Sequence, residues 1–258
     1  PADRFTPATA REWGEQALAA ADAAGGLAEV ARTVGLDDPD LPELVRRKLT
    51  EEPIEDLRLD FEDGYGDRGD EAEDADVARA VDAVTVAVRE GSAPPFVGIR
   101  FKCFEAPVRA RGLRTLDLFV SGLAAGGPLP EGLTITLPKV TTVGQVEAMV
   151  DASRALEGAL GLDERRLRFE VQVETPQVIL GADGTAPVAT LLHAADGRVT
   201  SLHYGTYDYS ASLGIAAQYQ SMEHPAADHA KNVMQLAVAG TGVHMSDGST
   251  NILPIGDP

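Results

Sequence analysis

Six short runs rich in β-branched and aromatic residues recur about every 30 to 45 residues, and this spacing limits the fold more than any other feature of the chain. They are LRLDFED from Leu57, PFVGIRFK from Pro95, LTITLPKV from Leu133, LRFEVQVET from Leu167, RVTSLHYGTYD from Arg198 and GVHMSDG from Gly242. Between them, Asp70 to Glu90, Val108 to Ala125, Val143 to Leu160 and Ala226 to Ala239 place Ala, Val and Leu three or four apart, as amphipathic helices do. Strand and helix in alternation predict βαβ units and a parallel sheet. The chain has 258 residues, which fits one α/β domain spanning 1–258.

Two parallel architectures compete, an open doubly wound sheet and a closed (β/α)8 TIM barrel. Each run ends in a polar residue able to do chemistry: Glu62 and Asp63, Arg100, Lys139, Glu174, Asp208 and Asp247. A barrel gathers its site from several strand ends, whereas an open sheet concentrates ligands at one switch point. The distribution therefore favours the barrel. With six strands visible, the expectation is that most of the first strand lies before Pro1 and the last βα unit after Pro258. Residues 25–56 exceed the needs of a βα connection, and AEVARTVG and LPELVRRKLT carry helical spacing. They are expected to form a helical insertion that adds packing, or that acts as a lid or subunit contact.

The formal net charge of -19 opposes binding to nucleic acid or an anionic membrane at long range. No run of about 18 apolar residues or secretory signal is present. Cys103 is the single cysteine, so an intrachain disulfide is impossible and a reducing, cytoplasmic setting is expected.

Several motif readings fail on their chemistry. Gly64, Gly66 and Gly69 spell G-x-G-x-x-G, but Asp63, Asp67, Asp70, Glu71, Glu73 and Asp74 crowd that loop and would oppose a phosphate. These acids fit better the first turn of the following helix, where the macrodipole favours anions. An EF-hand register would put Leu59 or Phe61 at the first ligand position, which rules it out. The five histidines lack zinc-site spacing, and no G-x-S-x-G elbow occurs.

What remains lies at the strand ends. In LRLDFED, Leu57, Leu59 and Phe61 share one face and Arg58, Asp60 and Glu62 the other. Arg58 and Asp60 are expected to pair with neighbours, leaving Glu62 and Asp63 at the mouth for chemistry. Arg100 suits bidentate recognition of a carboxylate, stabilisation of a developing enolate, or a structural pairing with Glu62 or Asp63. Glu174 and Asp208, from adjacent strand ends, suit a hard cation of the Mg2+ kind.

Taken in order, LDFEDG, GIRFK, TLPKV, VQVETP and YGTYD, followed by VHMSDG, resemble the successive strand motifs of the HpcH/HpaI aldolase and citrate lyase β-subunit-like superfamily, which includes malyl-CoA lyases. The resemblance runs from about Leu57 to Asp257, and the order and spacing of five motifs give it specificity. It implies a TIM barrel, with Pro1–Phe5 as the end of the first strand, and a carbon–carbon lyase or aldolase dependent on Mg2+, or Mn2+ in its place. The substrate implied is a small oxo- or hydroxy-acid, alone or as a CoA thioester. By the same resemblance Glu174 and Asp208 would ligate the metal, and Arg100 would bind substrate oxygens and steady the enolate. Glu62 and Asp63 would hold metal-bound water and orient Arg100, backbone N–H groups at Gly205 and Thr206 would receive a carboxylate, and Lys139 would screen the acids beside the substrate. A homo-oligomer, trimer or hexamer, is also implied. Two rival readings are a phosphoenolpyruvate or 2-oxo acid enzyme of the pyruvate-type barrels, and a barrel without catalysis that serves as a binding or assembly module.

Overall fold

The computed structural model describes residues 1–249. Strands β1 (Asp56–Asp60), β2 (Phe96–Arg100), β3 (Leu133–Leu137), β4 (Phe169–Val173), β5 (Val199–Tyr204) and β6 (His244–Ser246) form one sheet in sequence order, with every neighbouring pair parallel. All six expected strands are present. Helices α4 (Asp70–Glu90), α5 (Arg109–Gly126), α6 (Val143–Leu160), α7 (Pro187–Ala194), α8 (Thr206–Ser212) and α9 (Pro225–Val238) fill the connections. Thr142 and Gln145 make a capping box that starts α6, and glycines in left-handed geometry, Gly91 and Gly161, end α4 and α6.

The sheet is curled into a half-barrel. Adjacent strands lie about 4.8 Å apart, so in a flat sheet β1 and β5 would be separated by roughly 19 Å. Yet the ammonium of Lys139, just past β3, lies 2.7 Å from Asp63 beyond β1 and 2.6 Å from Asp208 beyond β5. Lower in the sheet, Arg58 of β1 reaches Glu170 of β4 at 3.1 Å. Only a concave sheet brings these groups together. These facts are those of a partial TIM-like barrel.

Strand alternation sorts the residues between two environments. Leu59, Phe61, Val97, Ile99, Ile135, Leu137, Val171 and Val173 are buried against the helices. Val84 of α4, Phe119 of α5 and Met149 of α6 meet them there, each with no exposed surface. Burying such a side chain stabilises by about 1.5–3 kcal/mol relative to exposure. Arg58, Asp60, Arg100, Thr136, Glu170, Gln172 and His203 take the opposite parity and line the concave side. A closed barrel of this class usually fills that space with branched apolar residues; here it is polar.

The segment before β1 departs from expectation in extent and in place. Ala2–Arg4 form a single 3-10 turn, not the end of a strand, and Asp3 is tied to Arg68 at 2.8 Å. Three helices follow: α1 (Thr9–Ala23), α2 (Leu27–Thr33) and α3 (Leu41–Glu51). Residues 25–56 are thus part of a helical unit that begins earlier, and α1 and α3 approach closely at Gly14, where a Cβ would strike the Leu49 carbonyl. This unit sits at the N-terminal ends of the strands. Lys48 of α3 pairs with Glu55 just before β1 at 2.7 Å, and the Pro7 carbonyl accepts from Ser92 ahead of β2 at 3.0 Å. It lies at the end opposite the polar strand termini, so it does not serve as a lid over them. Among the described residues, no helix is long and apolar enough to cross a membrane.

A buried ion pair locks α6 to the sheet. Arg198, with no exposed surface, donates from Nη1 and Nη2 to Glu157 at 2.6 and 2.8 Å, and Leu167 N–H donates to the same carboxylate at 2.8 Å. Burial opposes ionisation of Glu157, but Arg198 and the Leu167 N–H outweigh it and hold the carboxyl below its usual range. The stabilisation is therefore present above the ordinary carboxylate pKa and is lost as pH falls through the depressed value. Replacing Glu157 by Gln leaves Arg198 without its counter-charge and is expected to cost about 3–5 kcal/mol in urea unfolding. The variant's stability should also fall less steeply than the wild type's on acidification.

Candidate active site

The polar groups gather at the C-terminal ends of the strands around a cavity of about 620 Å³. Its best-defined contact joins β1 to β2. Asp60 and Arg100 are register partners with inward parity, and Arg100 donates from Nε and Nη2 to the two Asp60 oxygens, each at 2.7 Å. Asp60 also accepts from the N–H groups of Glu62 at 3.0 Å and Gly64 at 2.7 Å. Burial opposes ionisation of Asp60, yet Arg100 and these two N–H groups keep it below the usual carboxylate range. Burial also opposes the charge on Arg100, but Asp60, then Glu62 and Asp63, hold the guanidinium protonated.

Asp60, not the expected Glu62 and Asp63, thus makes the close contact with Arg100. Glu62 stands 3.8 Å from Arg100 Nη1, and Asp63 faces Lys139. The reason is local: β1 ends at Asp60, so Glu62 and Asp63 lie in the turn beyond it, and Asp60 is the last inward residue opposite Arg100. Burial and the hydrogen bond shared with Asp63 push Glu62 up to about 7, against Lys139 and Arg100. For Asp63, hydrogen bonding to Glu62 and Lys139 outweighs the effect of burial and keeps it low.

Lys139 is the hub of the mouth. Its ammonium meets Asp208 at 2.6 Å, Asp63 at 2.7 Å and Glu62 at 3.1 Å. Burial disfavours its charge, but the hydrogen bonds it donates to Asp208 and Asp63 more than compensate and raise its pKa. Its backbone is left-handed, with φ 50°, a conformation that costs about 1–3 kcal/mol for a non-glycine residue. That geometry turns its N–H toward Glu174 Oε1 at 2.7 Å.

Glu174 is 1% exposed and also accepts from Gln172 Nε2 at 2.6 Å. Burial pushes its carboxyl up to about 8; Lys139 opposes the rise, and the nearby Asp208 carboxylate adds to it. Asp208 is not on the strand as expected. β5 ends at Tyr204, and Asp208 falls in the first turn of α8. The structure thus brings Glu174 and Asp208 together. Among the described residues, no group of three or more His, Cys, Asp or Glu side chains is arranged to hold a metal. Two crowded carboxylates, an all-oxygen set, do suit a hard cation that keeps part of its water shell, as Mg2+ does.

Gly205 acts differently from expectation. Its N–H donates to Val173 O at 2.9 Å, so it is not available to receive a carboxylate. Its role is spatial: a Cβ there would press on Glu174. The Thr206 N–H, at the first position of α8, has no intrahelical acceptor, while its hydroxyl donates to Ser249 O at 3.0 Å. Asp247, the last of the strand-end acids, pairs with Lys231 of α9 at 2.9 Å, away from this cluster. Asp60 pairs with a neighbour as expected, and Gln172, which sequence reasoning passed over, could have been found from strand parity alone.

The acidic G-x-G-x-x-G stretch leads into α4 at Asp70 as expected. Two of its acids tie α4 to neighbouring segments: Glu73 meets Lys102 at 2.5 Å, and Asp74 meets Arg114 of α5 at 2.5 Å.

A family model described as Domain of unknown function (DUF6986) matches residues 1–258. The chain belongs to the DUF6986 family. Among curated proteins, nothing matches this DUF6986 chain. Among solved structures, a Haloferax volcanii malate synthase, described as a lead(II) complex, aligns with TM-score 0.52 at 16% identity, covering 67% of the DUF6986 chain and 47% of its own. The chain spans about half the length of that enzyme, and the likeness is one of fold. A protein of the HpcH/HpaI aldolase/citrate lyase family from Burkholderia cenocepacia J2315 aligns with TM-score 0.48 at 20% identity, covering 74% of this chain and 69% of that one.

Replacing Asp60 by Asn would remove the charge that holds Arg100 and leave a guanidinium half-buried without its main partner. We expect a loss of about 2 kcal/mol or more in urea unfolding, given the worth of hydrogen bonds to charged groups.

Proposed function

We propose that this DUF6986 chain is a Mg2+-dependent lyase or aldolase that makes or breaks a carbon–carbon bond in a small oxo- or hydroxy-acid by way of an enolate. The observation that supports this reading most strongly is the combination in one cavity of a guanidinium fixed by two hydrogen bonds with a pair of crowded carboxylates from adjacent strands. The fold shared with a malate synthase agrees with an enzyme of carbon–carbon bond chemistry.

Each residue then has a task set by its geometry. Glu174 and Asp208 would hold the metal, which when bound supplies a Lewis acid that polarises the oxygens of a 2-oxo acid. Because Asp60 occupies Nε and Nη2 of Arg100, the guanidinium cannot swing, and Nη1, whose hydrogen bond to Gln172 Oε1 is long at 3.5 Å, is the nitrogen that can exchange its contact for a substrate oxygen. Positive charge fixed before reaction stabilises an enolate oxygen without reorganisation. Lys139 keeps Glu62, Asp63 and Asp208 from repelling one another. Glu62, with its carboxyl near 7, can hold or release a proton at neutral pH. The Thr206 N–H, which has no acceptor within its helix, can receive a substrate carboxylate. Product analysis with pyruvate, glyoxylate and acetyl-CoA as partners tests for the use of a CoA thioester.

Calorimetric Mg2+ titration tests the metal assignment: affinity should fall at least about tenfold in both Glu174→Gln and Asp208→Asn, and unchanged binding in both variants would remove the basis for the reading. Replacing Arg100 by Lys should lower kcat by about 10²-fold or more while leaving Mg2+ affinity in place, because an ammonium cannot make the paired contact with Asp60.

A further inference from the structure

Beneath the candidate active site, Arg58, Glu170 and His203 form a floor that separates the mouth cavity from a larger one of about 1050 Å³ toward the other end of the sheet; all three side chains line both spaces. Two of the three already have partners. Arg58 donates from Nε to Thr136 and Glu170, each at 3.1 Å, and its two terminal nitrogens are held by Asp56. Glu170 is 9% exposed and is bound by Arg58 and the Thr136 hydroxyl.

His203 differs. Neither ring nitrogen has a hydrogen-bond partner among the described residues, although the side chain faces the cavity. Burial lowers its pKa, so the ring is neutral and can both donate and accept. The charges facing it, from Glu170, Arg100, Arg58 and Asp56, are two of each sign and already paired with one another or with Asp60. The floor therefore offers hydrogen bonding without spare charge. Of the side chains lining the cavity, five are acids and two are guanidinium groups already paired with acids, and the Lys139 ammonium at the mouth already meets three acids. A second carboxylate on a ligand would find no counter-ion there, and burying an unpaired charge is costly.

We propose that His203 is a specificity-determining residue of this cavity: it hydrogen-bonds an uncharged polar group at the far end of a monocarboxylic 2-oxo acid, and the cavity rejects a second carboxylate at that end. This rests on the function proposed above, and it names the class of acid that the site takes.

Three acids of similar size separate the possibilities, 2-oxopentanoate with a methyl end, 2-oxoglutarate with a carboxylate end and 2-oxoglutaramate with an amide end. Calorimetric binding to the Mg2+-loaded full chain, with pyruvate as the reference, is the experiment. The wild type should bind 2-oxoglutaramate at least about tenfold more tightly than either of the others, the worth of one good hydrogen bond. His203→Leu should bring the amide down to the level of 2-oxopentanoate, and His203→Asn, which keeps a donor and an acceptor, should retain the preference and guard against a folding defect in the Leu variant. The inference is overturned if 2-oxoglutarate binds as tightly as the amide, or if His203→Leu leaves the order unchanged. If pyruvate binds and no order exists among the three, only this inference falls. If neither pyruvate nor any of the three binds, the proposed function fails and this inference with it.

Discussion

One ammonium group makes the mouth of this half-barrel possible. Carboxylates follow the ends of β1, β4 and the turn into α8, and the curl of the sheet drives them together. Without a central cation, Glu62, Asp63 and Asp208 would repel across a half-buried space. Lys139 meets all three through its side chain and Glu174 through its N–H, and it adopts a left-handed backbone to do both. The curvature of the sheet and the chemistry of the site are thus coupled: flattening the sheet would pull the acids off Lys139.

The same parity that builds the core builds the site. Outward positions such as Leu59, Ile99, Ile135 and Val171 are apolar and buried under the helices, while inward positions one residue away are polar or charged. Arg58, Asp60, Arg100, Glu170 and Gln172 are tolerated inside because each has partners, in keeping with the cost of leaving such groups unsatisfied. His203 stands apart from that rule, which is why it points to a ligand.

Much of this was legible in the sequence because periodicity is a local property. The six β-rich runs and the four long helices are found where spacing places them, and Asp70–Glu90 and Val143–Leu160 coincide with α4 and α6 end to end. The weaker elements were missed for physical reasons. In α1 only Thr9, Ala10 and Gly14 are buried, so no apolar stripe marks it, and α7 and α8 have eight and seven residues, too few for a clear period. At the site, the residue types at the strand ends were visible, but their partners were not. Whether Asp60 or Glu62 holds Arg100 depends on where β1 stops, and whether the Gly205 N–H is free depends on its bond to β4. Both are matters of register that a linear pattern does not encode.

The central claim is that Arg100, fixed by Asp60 beside the Glu174 and Asp208 pair, stabilises an enolate. Proton NMR of pyruvate in deuterated buffer tests it directly, because enolate formation exchanges the methyl protons for deuterium. With Mg2+ present, the wild-type chain should catalyse that exchange, and Arg100→Met should slow it by about 10²-fold or more. Absence of exchange with the wild type, or an equal rate in the Arg100→Met variant, would contradict the account.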